Sequence, residues 1–212
     1  GAHNRFLSLE MIWPDNELLR AYVLSPRLGQ ISANLLEVSA VRLYHDNVLA
    51  KQAGCGRTPW HFDDHHFPLD TNDVVTAWVP AQPTPLEMGP LSFAYPLSVH
   101  KLVNAVTFEK TGTGYDRGVS DVFSKNNVSV NETPFELGEV SFHHNLNFHT
   151  ASCNRTNRSR VALANTYYRD GARVVNSPTM VSGDWQKFMP NVKPGDVAAS
   201  PLNPICWPVK DK

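Results

Sequence analysis

The sequence predicts a mainly β fold, a sandwich or barrel with helices packed on it from the N-terminal side. Short β-like runs separated by Gly/Pro turns recur from residue 40 onward. Helical apolar spacing is confined to the first forty residues, and no strand–helix alternation of the parallel α/β kind follows.

Taken in chain order, Leu18, Leu19, Tyr22 and Val23 have helical spacing behind Asp15, whose carboxylate suits a helix N-cap. Residues 28–36 repeat that spacing. Residues 41–44 and 48–50 then read as two short β runs, and 74–80 as a strong one closed by Pro80. Another run, 91–94, follows Gly89-Pro90; 140–143 follows Gly138; 160–168 ends at the turn pair Asp170-Gly171. Residues 102–136 are polar and weakly patterned, which reads as a long insertion or lid. Residues 175–212 read as an irregular, proline-broken tail wrapped on the core. No composition shift forces a boundary, so one domain over 1–212 is expected: helical over 1–39, β core over 40–174, tail over 175–212.

With 212 residues and a net charge of −1, the chain carries no field that steers it to nucleic acid or an anionic membrane. No apolar run approaches the roughly 20 residues that span a bilayer. Cys55, Cys153 and Cys206 are too dispersed for a disulfide framework or zinc ribbon, so a reduced, cytoplasmic setting is expected. The sequons at Asn127, Asn131, Asn154 and Asn157 read as chance. The expected partner is a small molecule; the sequence does not define an oligomeric state.

The chemistry concentrates in Pro59-Trp60-His61-Phe62-Asp63-Asp64-His65-His66. On an extended strand, His-x-Asp puts an imidazole and a carboxylate on one face. Alternation favours Asp63 over Asp64 as the partner of His61. With a second histidine from elsewhere, such a pair forms the two-histidine, one-carboxylate face suited to non-haem Fe(II), which leaves positions open for a chelating 2-oxo acid and oxygen. His149 follows the β run at 140–143, and Arg160, eleven residues on, can meet the same cavity from the next antiparallel strand. A guanidinium there would grip a carboxylate bidentately.

The ordered set Lys51, Thr58-Pro59-Trp60-His61-Phe62-Asp63, Trp78, Met88-Gly89-Pro90-Leu91, Ser98-Val99-His100, His149, Asn154 and Arg160 resembles the phytanoyl-CoA dioxygenase family of Fe(II)/2-oxoglutarate oxygenases, from about Val41 to Arg173. The resemblance implies a double-stranded β-helix, a jelly-roll or cupin-like barrel. It implies Fe(II) on His61, Asp63 and His149, and 2-oxoglutarate and O2 as co-substrates, with Arg160 clamping the distal carboxylate. It places Lys51 and Trp78 beside the co-substrate, with Asn47 on the Lys51 face of its strand and Thr150 in place of a family serine. Phe62 stands where the family often has glutamine, and Ala151 where it has serine. Asp63 keeps the carboxylate that halogenating relatives lose, which implies hydroxylation or a related oxidation of a small or medium organic metabolite. Trp60, Phe62 and His65 are candidate substrate contacts; each also has a plain structural role as core or loop. A zinc hydrolase or lyase on the same ligands, and a non-catalytic jelly-roll binding module, are the competing readings.

Overall fold

A computed structural model describes residues 6–107, 114–176 and 183–208. Two antiparallel sheets enclose the core. The larger runs β1 (Phe6–Glu10), β2 (Val41–Lys51), β9 (Arg160–Arg169), β4 (Val74–Pro80), β7 (Ser141–His144), with β10 (Ile205–Trp207) also paired to β2. The smaller runs β3 (Thr58–His61), β8 (His149–Ala151), β5 (Leu91–Tyr95), β6 (Ser129–Glu132). The chain crosses between sheets at nearly every step from β2 to β9, which closes the expected double-stranded β-helix and lets alternate residues of each strand face one interior.

Helices α1 (Glu17–Val23) and α2 (Pro26–Leu35) cover the outer face of the larger sheet. Leu28 and Ala33 of α2 pack with Val41, Leu43, Tyr167 and Cys206. A Cβ at Gly29 would lie 2.5 Å from the Cys206 carbonyl oxygen, so only glycine lets α2 approach β10 this closely. The cap of α1 is Asn16, which accepts from the Leu19 N–H at 3.0 Å; the expected cap, Asp15, ends the preceding 3-10 turn.

Four expectations change. Residues 6–10 form an edge strand; all five are exposed, so no burial alternation marked them. The two runs at 41–44 and 48–50 are one strand, because fully buried Asp46 accepts from the Ile12 and Trp13 N–H groups (3.1 and 3.4 Å). The segment 102–136 holds the end of α3 (Val99–Leu102), then α4 (Gly114–Asn126) and β6. Tyr115 and Val119 of α4 pack with Val99, Val103 and Phe148, so this part is core layer rather than loop. The tail contributes β10, a 3-10 turn at Trp185–Lys187 and buried Trp185 and Met189. Among the described residues, no helix is long and apolar enough to cross a membrane.

Candidate metal centre and co-substrate pocket

His61 ends β3 and lies opposite His149 of β8 in register, their rings 4.2 Å apart. Each Nδ1 faces a carbonyl oxygen two residues earlier, His61 to Pro59 (2.8 Å) and His149 to Asn147 (2.9 Å). A carbonyl can only accept, so Nδ1 carries the proton and Nε2 is left with its lone pair. Asp63 arrives by a turn. The strand stops at His61 and Asp63 adopts helical dihedrals, φ −85° and ψ −15°. The Asp63 and Asp64 N–H groups both donate to the Asn145 carbonyl (2.8 and 3.1 Å). Asp63 Oδ1 then lies 3.6 Å from His61 Nε2 and 3.8 Å from His149 Nε2. The three residues offer ligand atoms all within 4.8 Å of one another. Asp64 instead accepts from Asn145 Nδ2 at 2.8 Å.

Burial raises the Asp63 carboxyl, but His149, a hydrogen bond from His143 and His61 outweigh it and hold it well below the usual carboxylate range. Burial pushes His149 down to about 3, with His61 adding to the effect and Asp63 opposing it. Burial also lowers His61. Two neutral imidazoles and one anion therefore face a common point near neutral pH, the protonation state a divalent cation requires. His143 of β7 stands behind the carboxylate, Nε2 at 3.5 Å from Asp63 Oδ2.

The triad opens onto a cavity of about 600 Å³ between the sheets. At its inner end sits Arg160, 2% exposed. Its Nη1 donates to the Gly89 carbonyl at 2.7 Å and its Cζ lies 5.2 Å from the Trp78 ring centre. Its Nε is buried with no partner. Burial brings the guanidinium down to about 10, so it remains a cation. A buried cation with an unmet donor is costly unless an anion completes it, and a carboxylate fits that need. Gly89 makes the approach possible: its φ is +73°, and a Cβ there would lie 2.3 Å from the Ser152 carbonyl oxygen.

The other expected residues divide. Trp78, Thr150 and Asn47 line the cavity. The Thr150 hydroxyl donates to the Thr58 carbonyl (2.5 Å), and Asn47 Oδ1 accepts from Ser8 Oγ (2.8 Å). Lys51 lies beside Arg160 in register but outside the cavity wall, its Nζ donating to the Ala151 and Ser152 carbonyls (2.9 and 2.7 Å). Burial, then Arg160, bring its ammonium down to about 7. Trp60 stacks on Phe148 at 5.4 Å, and Phe62 packs on His65 at 4.5 Å, in the layer between β3 and α4. Buried Asn154 ties the Lys51, Gln52 and Arg158 carbonyls together. His100 is held by the Leu97 carbonyl. Sequence reasoning missed His45, Thr76 and Thr166 as cavity residues. The available signal was period two: Thr76 shares a strand face with Trp78.

A double-stranded β-helix with two imidazoles, one carboxylate and a buried guanidinium around one cavity defines the class of non-haem iron oxygenases that consume a 2-oxo acid. The family model for phytanoyl-CoA dioxygenase matches residues 8–162, and the chain belongs to that family of Fe(II)- and 2-oxoglutarate-dependent enzymes. The match starts ahead of the stretch that carries the sequence resemblance and ends just past Arg160. Solved structures share the fold. The non-heme alpha ketoglutarate dependent carbocyclase SnoK from nogalamycin biosynthesis superposes with a TM-score of 0.75 at 24% identity, over 95% of this chain and 76% of that one. The epimerase SnoN in complex with Fe3+, alpha ketoglutarate and nogalamycin RO gives 0.74 at 21% identity, over 95% and 78%. EctD from S. alaskensis with 2-oxoglutarate and 5-hydroxyectoine gives 0.66 at 15% identity, over 92% and 68%. No curated protein sequence matches the chain.

Proposed function

We propose that the protein hydroxylates a small or medium organic molecule, with Fe(II) on His61, Asp63 and His149 and 2-oxoglutarate anchored by Arg160. The observation that carries this is the convergence of three ligand atoms within 4.8 Å in a cavity that also holds a buried guanidinium with an unmet donor. When bound, iron and O2 supply the oxidation, and 2-oxoglutarate is converted to succinate and CO2. The chain supplies the rest. The carbonyls of Pro59 and Asn147 fix the imidazole tautomers, and Asn145 and His143 fix the carboxylate. Trp78, Leu91 and Ala164 make an apolar sleeve that keeps water from the co-substrate. Thr150 holds β3 and β8 together beside the iron ligands. Lys51 acts as a positioning residue that pins the end of β8, and Asn47 as a polar group at the cavity rim.

Carbocyclase and epimerase relatives in fold show that this scaffold also hosts other outcomes. Asp63 supports hydroxylation or a related oxidation over halogenation, because the carboxylate ligand is retained. A small-molecule substrate accords with nogalamycin RO on SnoN and 5-hydroxyectoine on EctD. Three free cysteines accord with a reducing, cytoplasmic compartment, and the chain is read as one oxygenase domain. Family membership gives no support to a zinc hydrolase or a silent binding module.

The test is anaerobic titration of Fe(II) and then 2-oxoglutarate. A weak visible charge-transfer band is expected in the parent protein, and none in His61→Ala or His149→Ala, which also lose succinate formation. Undiminished succinate release by either variant removes the assignment.

A further inference from the structure

The substrate half of the cavity carries an ordered polar row. His45, Thr166, Thr76 and His143 come from β2, β9, β4 and β7, and the sheet register places each opposite the next: His45 with Thr166, Thr166 with Thr76, Thr76 with His143. All four line the cavity. Four neighbouring strands at roughly 4.8 Å spacing make this row about 14 Å long. It starts beside Asp63, where His143 stands, and ends at His45, whose ring meets Tyr44 and Phe188 at 5.0 and 4.9 Å. One level toward Arg160, Trp78 pairs with Ala164 and the wall turns apolar.

The hydrogen bonds of the row are incomplete. Thr76 and Thr166 are 5% and 1% exposed, and their hydroxyls lie 3.0 Å apart. Two hydroxyls carry two protons and this contact uses one, so the pair keeps a free O–H and spare lone pairs. His45 Nδ1 and His143 Nδ1 are buried without a partner. Buried polar groups are ordinarily satisfied, so a spare hydroxyl proton between two unmet ring nitrogens gives a ligand's own polar groups something to complete. The two threonines at its centre carry no charge, and burial lowers His45. At the rim, Glu10 and Lys187 pair with each other at 2.7 Å, and exposed Asp184 disfavours an anion.

We propose that this row is the substrate-recognition rail, selecting an uncharged, oxygen-bearing molecule of bicyclic size or larger whose hydroxyl or carbonyl groups bond along Thr76, Thr166 and His45. The proposal rests on the oxygenase reading and deepens it. The two threonine hydroxyls cannot compensate a buried charge, which disfavours charged ligands, and a hydrocarbon would leave their spare donor unmet.

The test uses the anaerobic Fe(II)–2-oxoglutarate complex of the full chain, titrated calorimetrically with four compounds on one skeleton. These are 2,6-dihydroxynaphthalene, 2,6-dimethylnaphthalene, naphthalene-2,6-dicarboxylate and 2,6-bis(aminomethyl)naphthalene. The diol is expected to bind at least about tenfold more tightly than the other three. The double variant Thr76→Val/Thr166→Val is expected to erase that preference, and His45→Leu to reduce it, the second variant serving if the first does not fold. No binding of the diol, equal binding of the four, tighter binding of a charged member, or a preference kept in the variants overturns the proposal. A missing charge-transfer band in the parent protein means that the oxygenase reading itself has failed; a normal band without the preference sinks the rail alone.

Discussion

Arg160 and Lys51 stand side by side in register, yet the structure uses them differently. Arg160 lines the cavity and keeps a buried Nε without a partner, while Lys51 spends its ammonium on two backbone carbonyls. Arg160→Ala is therefore expected to raise the 2-oxoglutarate KM by about 10- to 150-fold, the value of a charged hydrogen bond, with a smaller effect on kcat; steady-state kinetics at varied co-substrate check this. Lys51 titrates near 7 when folded, against 10.5 for the free side chain. Between these values the unfolded chain binds more protons, so this group makes stability rise with pH, by at most about 1.4 kcal/mol per unit. Burial of Cys206 reverses the sign above its ordinary value of 9.0, which leaves pH 7 to 9 as the clean window. Denaturant melts across that window should show a rise that Lys51→Met lacks. The His-x-Asp spacing and the family resemblance together pointed to His61, Asp63 and His149, and the fold brings their ligand atoms within 4.8 Å of one another. Why Asp63 rather than Asp64 faces the ligands was not legible: the strand has already ended, and two N–H groups on one Asn145 carbonyl do the steering.

At the scale of elements, strands with apolar content and turn punctuation were readable, β4 to the residue and β5 and β9 to within one. Elements lacking those marks were not. β1 is wholly exposed, β10 is three residues long, and β2 hides a buried aspartate that answers to a distant turn. Helix α4 was lost because its buried contribution is small, Tyr115 and Val119 in thirteen residues. The turn before β5 carries a sharper constraint. Gly89→Ala is expected to cost at least about 1–2 kcal/mol from the left-handed φ alone. The collision with Ser152 and the disturbed Arg160 contact add to this. Thermal melting should fall by several degrees, with weakened 2-oxoglutarate binding as the signature that separates this change from general destabilisation.

For the molecule as a whole, a sandwich or barrel was legible because a run of short strands with turn signals has few stable closures, and the family resemblance chose the barrel. The polar row along the cavity wall was not, because it is assembled across four strands that are neighbours only after folding. The ligand set also links metal to stability. A cation that binds only the folded chain, at 100 times its Kd, adds about 2.7 kcal/mol. Mn(II) with 2-oxoglutarate should therefore raise the melting temperature by about 5–10 °C. That gain should vanish in His149→Ala.

The position of Arg160 also sets the traffic. Arg160, Trp78 and Leu91 are buried members of the cavity lining, while Ser8, Glu10 and Lys187 are exposed ones. A ligand held by the buried part of such a lining is covered by the next one to bind. The keto acid must enter ahead of the molecule to be oxidised, and the spent diacid must leave behind the product. Isotopically labelled 2-oxoglutarate, once covered by a well-fitting guest, should then be committed to turnover and resist an unlabelled chase.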